Sequence, residues 1–256
     1  RARALWRHVR AAPPPMLFLL NVCAASSSLH AAAEQGDEAA VRAALAAGEG
    51  PNTRDADSYT PLHLSAGMGA VGALSALLEV PGTAVDAMDD VGETPLHLAA
   101  AAGRTLAVQR LLEHGARVDP PSHHGYTPLH MAAQHGHLAT AELLVQAGAP
   151  LGAVTREQAT PLHWAAAHAH AGVFMLLLSK GGALHAEDAH GATPLSLVAA
   201  SPFNLVAASG DRALNEQLQQ WVKAERARRA SSRDAAQEDG GAAAAAGQPS
   251  RRRDEL

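Results

Sequence analysis

Between residues 28 and 222 the chain alternates short apolar runs with polar breaks, and the apolar residues recur at helical spacing. In Thr105 to Gly115, Leu106, Val108, Leu111 and Leu112 follow that spacing and predict a helix. A shorter apolar run, Leu96 to Gly103, precedes it. Thr94 stands at the start of the shorter run, where its hydroxyl is expected to cap a free N–H. Pro95 takes the first helical position, where a missing N–H costs nothing. Gly103 ends this helix and Gly115 ends the next. The polar residues that follow lead into another Thr-Pro and are the natural place for a turn or hairpin. The unit is therefore a pair of helices.

The unit repeats. Thr-Pro-Leu begins at Thr60, Thr94, Thr127, Thr160 and Thr193, with spacings of 34, 33, 33 and 33 residues. One further step back from Leu62-His63 lands on Leu29-His30, in a sixth unit without Thr-Pro. A period near 33 residues predicts a stacked array and overrides a globular-domain reading.

The run "TPLHMAAQHGHLATAELLVQAGA" from Thr127 to Ala149 resembles the ankyrin repeat: T-P-L-H-x-A-A, then a glycine, then L-L-x-x-G-A. The resemblance covers about residues 28–222, and five Thr-Pro-Leu hits in register carry it. It implies an all-α repeat solenoid of antiparallel helix pairs, with β-hairpin fingers on one edge and a concave face that binds other proteins. The expected divisions are a lead-in over 1–27, six repeats over 28–222, and a helix end and tail over 223–256. Within the array they are 28–54 as N-cap, 55–88, 89–121, 122–154, 155–187, and 188–222 as a C-cap with an insertion.

Some units depart from the pattern. The second carries one extra residue in "EVPGTAVDAMDD". The fifth has Ala169 where a helix-ending glycine is usual. The sixth has Ser196 in place of histidine and then Ser201-Pro202, so an insertion is expected, with the last helix near 211–229. The first has an alanine-rich second helix, as suits a terminal cap.

Composition fits stacked helices. Of 256 residues, 47% are apolar but only 3% aromatic, so small residues must form the core by close backbone approach. The single cysteine, Cys23, excludes an intramolecular disulfide and a cysteine-rich zinc site. No apolar run reaches the length of a membrane span. Residues 16–222 hold 8 basic and 19 acidic residues, while residues 1–15 hold four arginines and no acid. An acidic body is a poor phosphate binder, which argues against nucleic acid and for a protein partner with a basic surface.

Fifteen histidines invite a chemical reading. His63, His97, His130 and His163 occupy one repeat position, as does His30 in the first unit. A catalytic histidine needs a unique environment. Equivalent copies point instead to a structural role, in which each imidazole ties its own helix start to the neighbouring finger. His135 and His137 align with His168 and His170, but residues two apart on a helix diverge, which disfavours a tetrahedral metal site. Exposed histidines suggest pH-dependent partner binding, an idea that an unchanged affinity between about pH 5.5 and 7.5 would sink. No nucleotide-binding glycine loop, H-E-x-x-H or G-x-S-x-G occurs, and the Asp55 stretch lacks the glycine and glutamate of a calcium loop. No enzyme activity, catalytic residue, metal or cofactor is expected.

Mapped through the resemblance, the variable surface positions are Tyr59, Met68, Asp90, Glu93, His123, His124, Tyr126, Gln134, His135, Arg156, Glu157, His168 and His190. Tyr59 and Tyr126, the only tyrosines, both precede Thr-Pro and suit a contact role at low entropic cost. Trp164 is expected to pack between repeats. The expected function is that of a monomeric protein-interaction scaffold or adaptor. The alternative is a regulatory or targeting fragment of a larger enzyme whose catalytic domain lies upstream.

The ends carry address-like features. Residues 1–27 pair a basic stretch with a short apolar one, the outline of a signal peptide. "RRAS" ending at Ser231 matches a basophilic kinase site, and the final "RDEL" resembles an endoplasmic-reticulum retrieval signal. The array itself points to cytoplasm or nucleus, and the two ends to the lumen.

Overall fold

The structure, a computed structural model, describes residues 28–200 and scattered helical positions between 216 and 227. The readings of the lead-in with Cys23, of the insertion after Ser201, of most of the last helix, and of Ser231 and RDEL lie outside the described residues.

The repeats fold as helix pairs. The first helices are α1 (Ser28–Gln35), α3 (Pro61–Met68), α5 (Pro95–Ala101), α7 (Pro128–His135), α9 (Pro161–Ala167) and α11 (Pro194–Ala200). The second helices are α2 (Glu38–Ala46), α4 (Val71–Leu78), α6 (Thr105–Glu113), α8 (Leu138–Gln146) and α10 (Ala171–Ser179). Each first helix packs on the first helices of adjacent repeats, and each second helix on second helices, giving two layers in series. This is an all-α repeat solenoid.

The layers share a core built in columns. Leu62, Leu96, Leu129 and Leu162, each following a Thr-Pro, are fully buried. So are Ala66, Ala99, Ala132 and Ala165, whose small side chains let the first helices approach closely. In the second layer one column runs Val41, Leu74, Val108, Ala141, Phe174 and another Leu77, Leu111, Leu144, Leu177, all buried. Residue size varies along the first of these, from Ala141 to Phe174, so local volumes must compensate. Leu106, assigned to the apolar face by its spacing, is instead 65% exposed. It sits in the first turn of α6 beside Arg104 and Gly69, where no neighbouring side chain covers it.

Units that break the pattern keep the geometry. In α1, which lacks Thr-Pro, the Glu49 carboxylate accepts from the Leu29 amide at 3.1 Å and from the Ser28 hydroxyl, capping the helix from the following loop. The extra residue of the second repeat is absorbed in a turn in which the Thr83 hydroxyl donates to the carbonyls of Leu77 (2.7 Å) and Val80 (2.9 Å). Ala169 holds the left-handed conformation of the glycine it replaces, with φ of 59°.

The fingers are tight loops. No described residue is in a strand. In each finger an amide donates to the carbonyl four residues on: Asp55 to Tyr59, Asp89 to Glu93, Ser122 to Tyr126, Thr155 to Ala159 and Asp188 to Ala192. The same residue's side chain accepts from the amide of the residue at the far end, as Asp89 Oδ1 does from Glu93 N at 2.8 Å. Single backbone bonds link successive fingers: His123 N to Val91 O, Arg156 N to His124 O, and Ala189 N to Glu157 O, each 2.9 Å. At most one bond per finger pair is too few for a ladder, which is why the β-hairpins implied by the resemblance do not register as strands.

Candidate functional site

Two sets of side chains hold one repeat to the next, and together they set the surface. The first is the forward set. The Thr60 amide donates to His63 Nδ1 at 3.1 Å, and the Thr60 hydroxyl lies 2.9 Å from the same nitrogen. Nδ1 therefore carries the lone pair, and Nε2–H donates to the Glu93 carbonyl of the next repeat at 3.1 Å. His97 reaches Tyr126 O at 2.9 Å, His130 reaches Ala159 O at 3.1 Å, and His163 reaches Ala192 O at 3.2 Å. His30 bonds Tyr59 O at 3.1 Å in the same way. The imidazole does the work expected of glutamate in a capping box and also bridges to the neighbour. Burial pushes His63, His97 and His130 down to about 4 and lowers His163, so all four stay neutral at pH 7. In the sixth repeat Ser196 and Thr193 exchange bonds with each other: Thr193 N donates to Ser196 Oγ at 2.9 Å and Ser196 N to Thr193 Oγ1 at 3.1 Å.

The second set points backward, and sequence reasoning missed it. Arg104 Nε donates to Gly67 O at 3.3 Å, His137 Nε2 to Ala101 O at 2.9 Å, and His170 Nε2 to Gln134 O at 2.9 Å. Each donor stands at the start of a second helix and satisfies a carbonyl at the end of the previous repeat's first helix. The side chain crosses the glycine between them. A Cβ at Gly103 would lie 2.4 Å from His137 Nδ1, and one at Gly136 would lie 2.3 Å from His170 Nδ1. The available signal was the recurrence of a long donor directly after that glycine, at Gly103-Arg104 and Gly136-His137.

The expected contact residues fall into three rows. Asp90, His123, His124, Arg156, Glu157 and His190 lie in the fingers; Glu157 is half-buried and the others are exposed. Tyr59, Glu93 and Tyr126, all half-buried, form the row directly before the Thr-Pro helices, and Ala159 and Ala192 continue it. Met68, Gln134, His135 and His168, also half-buried, lie at or just beyond the far ends of the first helices. The structure therefore separates Met68, Gln134, His135 and His168 from the two finger-side rows by the length of a helix.

The middle row is the most constrained. The preceding repeat's histidine grips the carbonyls of Tyr59, Glu93 and Tyr126. Burial, with Asp89 adding, pushes the Glu93 carboxyl up to about 7. Both tyrosine hydroxyls are pushed up, mainly by burial. Next come Asp89 and Glu93 for Tyr59, and Glu157 and Glu93 for Tyr126, so Glu93 acts on both rings. The Tyr126 ring lies 5.2 Å from that of Trp164, which is 5% exposed and stacks on His168 at 5.8 Å. Trp164 is thus an inter-repeat packing residue.

The paired histidines stack: His135 on His137 at 6.1 Å and His168 on His170 at 6.2 Å. Burial, then repulsion from His137, His168 and His170, lowers His135 to about 4. His137 and His170 spend Nε2–H on carbonyls, and no cluster of metal-ligating side chains occurs among the described residues. No helix of the described residues is long and apolar enough to cross a membrane.

Comparison with known proteins agrees with this geometry. Family models described as ankyrin repeats match residues 29–78 (many copies), 72–155 (three copies) and 157–189 (a single repeat). No curated protein matches the chain. Ankyrin repeats are generally protein–protein interaction modules and typically lack enzyme activity. With matches running from the first helix pair into the sixth finger, and with helix pairs stacked in series throughout, the chain belongs to the ankyrin-repeat family.

Proposed function

We propose that the protein is a monomeric scaffold that binds another protein stoichiometrically through its concave face and fingers, without nucleic acid. The observation that carries this reading is the row Tyr59, Glu93, Tyr126. Three recognition-capable side chains stand at one repeat position, with their backbones locked by buried histidines. Pre-organised side chains of this kind lose little entropy when a partner docks. The finger residues Asp90, His123, His124, Arg156, Glu157 and His190 lie alongside and supply a polar rim. Met68, Gln134, His135 and His168 would extend the contact along the first helices.

The test compares partners recovered with the full chain, with Tyr59→Ala/Tyr126→Ala, and with Gln109→Ala on the exposed side of α6. A stoichiometric partner retained by Gln109→Ala and lost by the tyrosine pair is expected. Equal recovery by all three chains would overturn the reading.

A further inference from the structure

The edge of the array away from the fingers changes character along the chain. The residue that opens each second helix runs Asp37, Ala70, Arg104, His137 and His170. From the third repeat onward that position is a cation or an imidazole, and His135 and His168 stand two residues before the last two. No Asp or Glu occurs over residues 94–112, 127–141 or 160–186, which build this edge, although residues 16–222 as a whole hold 19 acidic and 8 basic residues. The other charged or titratable groups on the packed elements lie elsewhere. His97, His130 and His163 are spent at the finger ends of α5, α7 and α9. Arg110 and Glu113 pair at the other end of α6, Glu142 is exposed one turn further along α8, Lys180 follows α10, and α11 has no such group.

Direct contacts join these groups into one patch. Arg104, His137 and His170 lie over Gly69, Gly103 and Gly136, so each side chain covers the backbone just before the preceding donor. His135 stacks on His137 at 6.1 Å and His168 on His170 at 6.2 Å. Gly136 stands between His135 and His137, so the His170 ring packed on it brings the two stacked pairs together. The patch is accessible: Arg104 is exposed and the four rings are half-buried. The bonds of Arg104 Nε, His137 and His170 to carbonyls hold it in place. His135, His168 and the two terminal nitrogens of Arg104 have no hydrogen-bond partner among the described residues. Leu106 and Leu138, 65% and 40% exposed, stand in the first turns of α6 and α8 beside Arg104 and His137.

The chemistry of the patch selects its occupant. A guanidinium with free N–H groups and unpaired imidazoles offers donors without a counter-ion, which suits an anion. Burial first, then repulsion between neighbouring rings, holds His135, His168 and His170 below the usual histidine range, with the Gln134 carbonyl opposing this at His170. A docked carboxylate raises them again, so docking takes up protons. A polyphosphate chain is a poorer match, because the edge holds one permanent cation and the surrounding array is acidic. Carboxylates on a protein segment with apolar side chains match both the imidazoles and the exposed leucines.

We infer that the edge of the third to fifth repeats formed by Arg104, His135, His137, His168 and His170, with Leu106 and Leu138, docks an acidic segment of the partner protein. This rests on the reading of the array as a protein-binding scaffold and deepens it by naming the partner's chemistry and the repeats that receive it. His135, His168 and Arg104 donate to the segment's carboxylates, while His137 and His170 keep their bonds to the array. Docking strengthens as pH falls, the opposite sign to the effect of acid on the fold.

The probe is the peptide N-acetyl-Glu-Glu-Leu-Leu-Glu-Glu amide, titrated into the full chain at about pH 7.5 and about pH 6.0 and followed residue by residue in amide and imidazole spectra. The same peptide with glutamine for glutamate keeps the leucines and removes the charge. Saturable shifts centred on Arg104, His135, His168 and His170 are expected with the glutamate peptide, with binding roughly threefold or more tighter at the lower pH. His135→Gln/His168→Gln is expected to lose most of that gain, Leu106→Ser/Leu138→Ser to weaken binding at both pH values, and His114→Gln, at the other end of α6, to change neither. Folding of every variant at both pH values is read from the same spectra. Equal binding of the glutamine peptide, shifts centred on the fingers, affinity unchanged or weaker at the lower pH, the full gain kept by His135→Gln/His168→Gln, or unaltered binding by Leu106→Ser/Leu138→Ser would each overturn the assignment. So would equal or tighter binding of hexathymidylate. If the glutamate peptide fails while Tyr59→Ala/Tyr126→Ala still loses its partner, the scaffold reading stands and the acidic-segment site falls.

Discussion

Gly136 and Gly148 both hold left-handed backbone, with φ of 75° and 92°, yet replacement by alanine should affect them very differently. At Gly148 a Cβ would meet nothing within 4 Å, so Gly148→Ala measures the backbone cost alone. That cost is about 1 kcal/mol, since the left-handed strain of an L-residue is partly offset by a less flexible unfolded chain. At Gly136 the same Cβ would lie 2.3 Å from His170 Nδ1 and 2.7 Å from His170 Cε1. The ring must swing away, breaking its 2.9 Å bond to the Gln134 carbonyl. Loss of that bond adds about 1–1.5 kcal/mol. Gly136→Ala should therefore cost roughly 2–2.5 kcal/mol, about twice Gly148→Ala. Urea unfolding at constant m measures both. A double-mutant cycle isolates the cause: with His170→Ala already present, Gly136→Ala should cost only the ~1 kcal/mol backbone term. Equal costs at Gly136 and Gly148, or no relief from His170→Ala, would refute the claim that the backward histidines lie on these glycines and bind repeat to repeat.

Acid should unfold the array before carboxylate titration does. His63, His97 and His130 titrate at about 4 when folded and near 6.5 when unfolded, so the unfolded chain binds more protons between those values. Stability is then full above about pH 6.5 and falls with pH by up to ~1.4 kcal/mol per unit for each histidine; a flat melting temperature from pH 7 to 5 would contradict this. His130→Leu strands the buried Thr127 amide and the Ala159 carbonyl that the ring now joins at 3.1 Å each, and should cost about 2–4 kcal/mol in denaturant unfolding. Ala169→Gly should raise stability by about 0.5–1 kcal/mol, because Ala169 sits at φ 59°; Ala165→Gly, inside α9, should lower it.

The fold was legible because the chain states it several times over. One Thr-Pro-Leu is a weak signal, but five at nearly constant spacing define helix starts, helix stops and the stacking direction together. The role of His63, His97, His130 and His163 followed from their equivalence, and the hydrogen bonds bear it out. The proposed contact residues were legible only as repeat positions. Their grouping into three rows, and the separation of Met68 and His135 from Tyr59 and Tyr126, depend on where each helix ends.

Sequence by itself determined the local units: threonine and proline set where a first helix begins, glycine where it ends, and small residues how closely the first helices pack. These are effects within about one helical turn or at one repeated position, so a linear pattern records them. Tertiary structure alone decided the rest. Leu106 fits an apolar helical stripe but faces solvent, because burial depends on whether the next repeat reaches that turn. His137 and His170 look like surface histidines yet reach back 36 residues to orphan carbonyls over a bare glycine. Asp89 looks like an ordinary turn cap, and only the stacked fingers bury its second oxygen without a partner. In each case the cause is a contact between repeats, where desolvation and close approach act on residues the sequence keeps far apart.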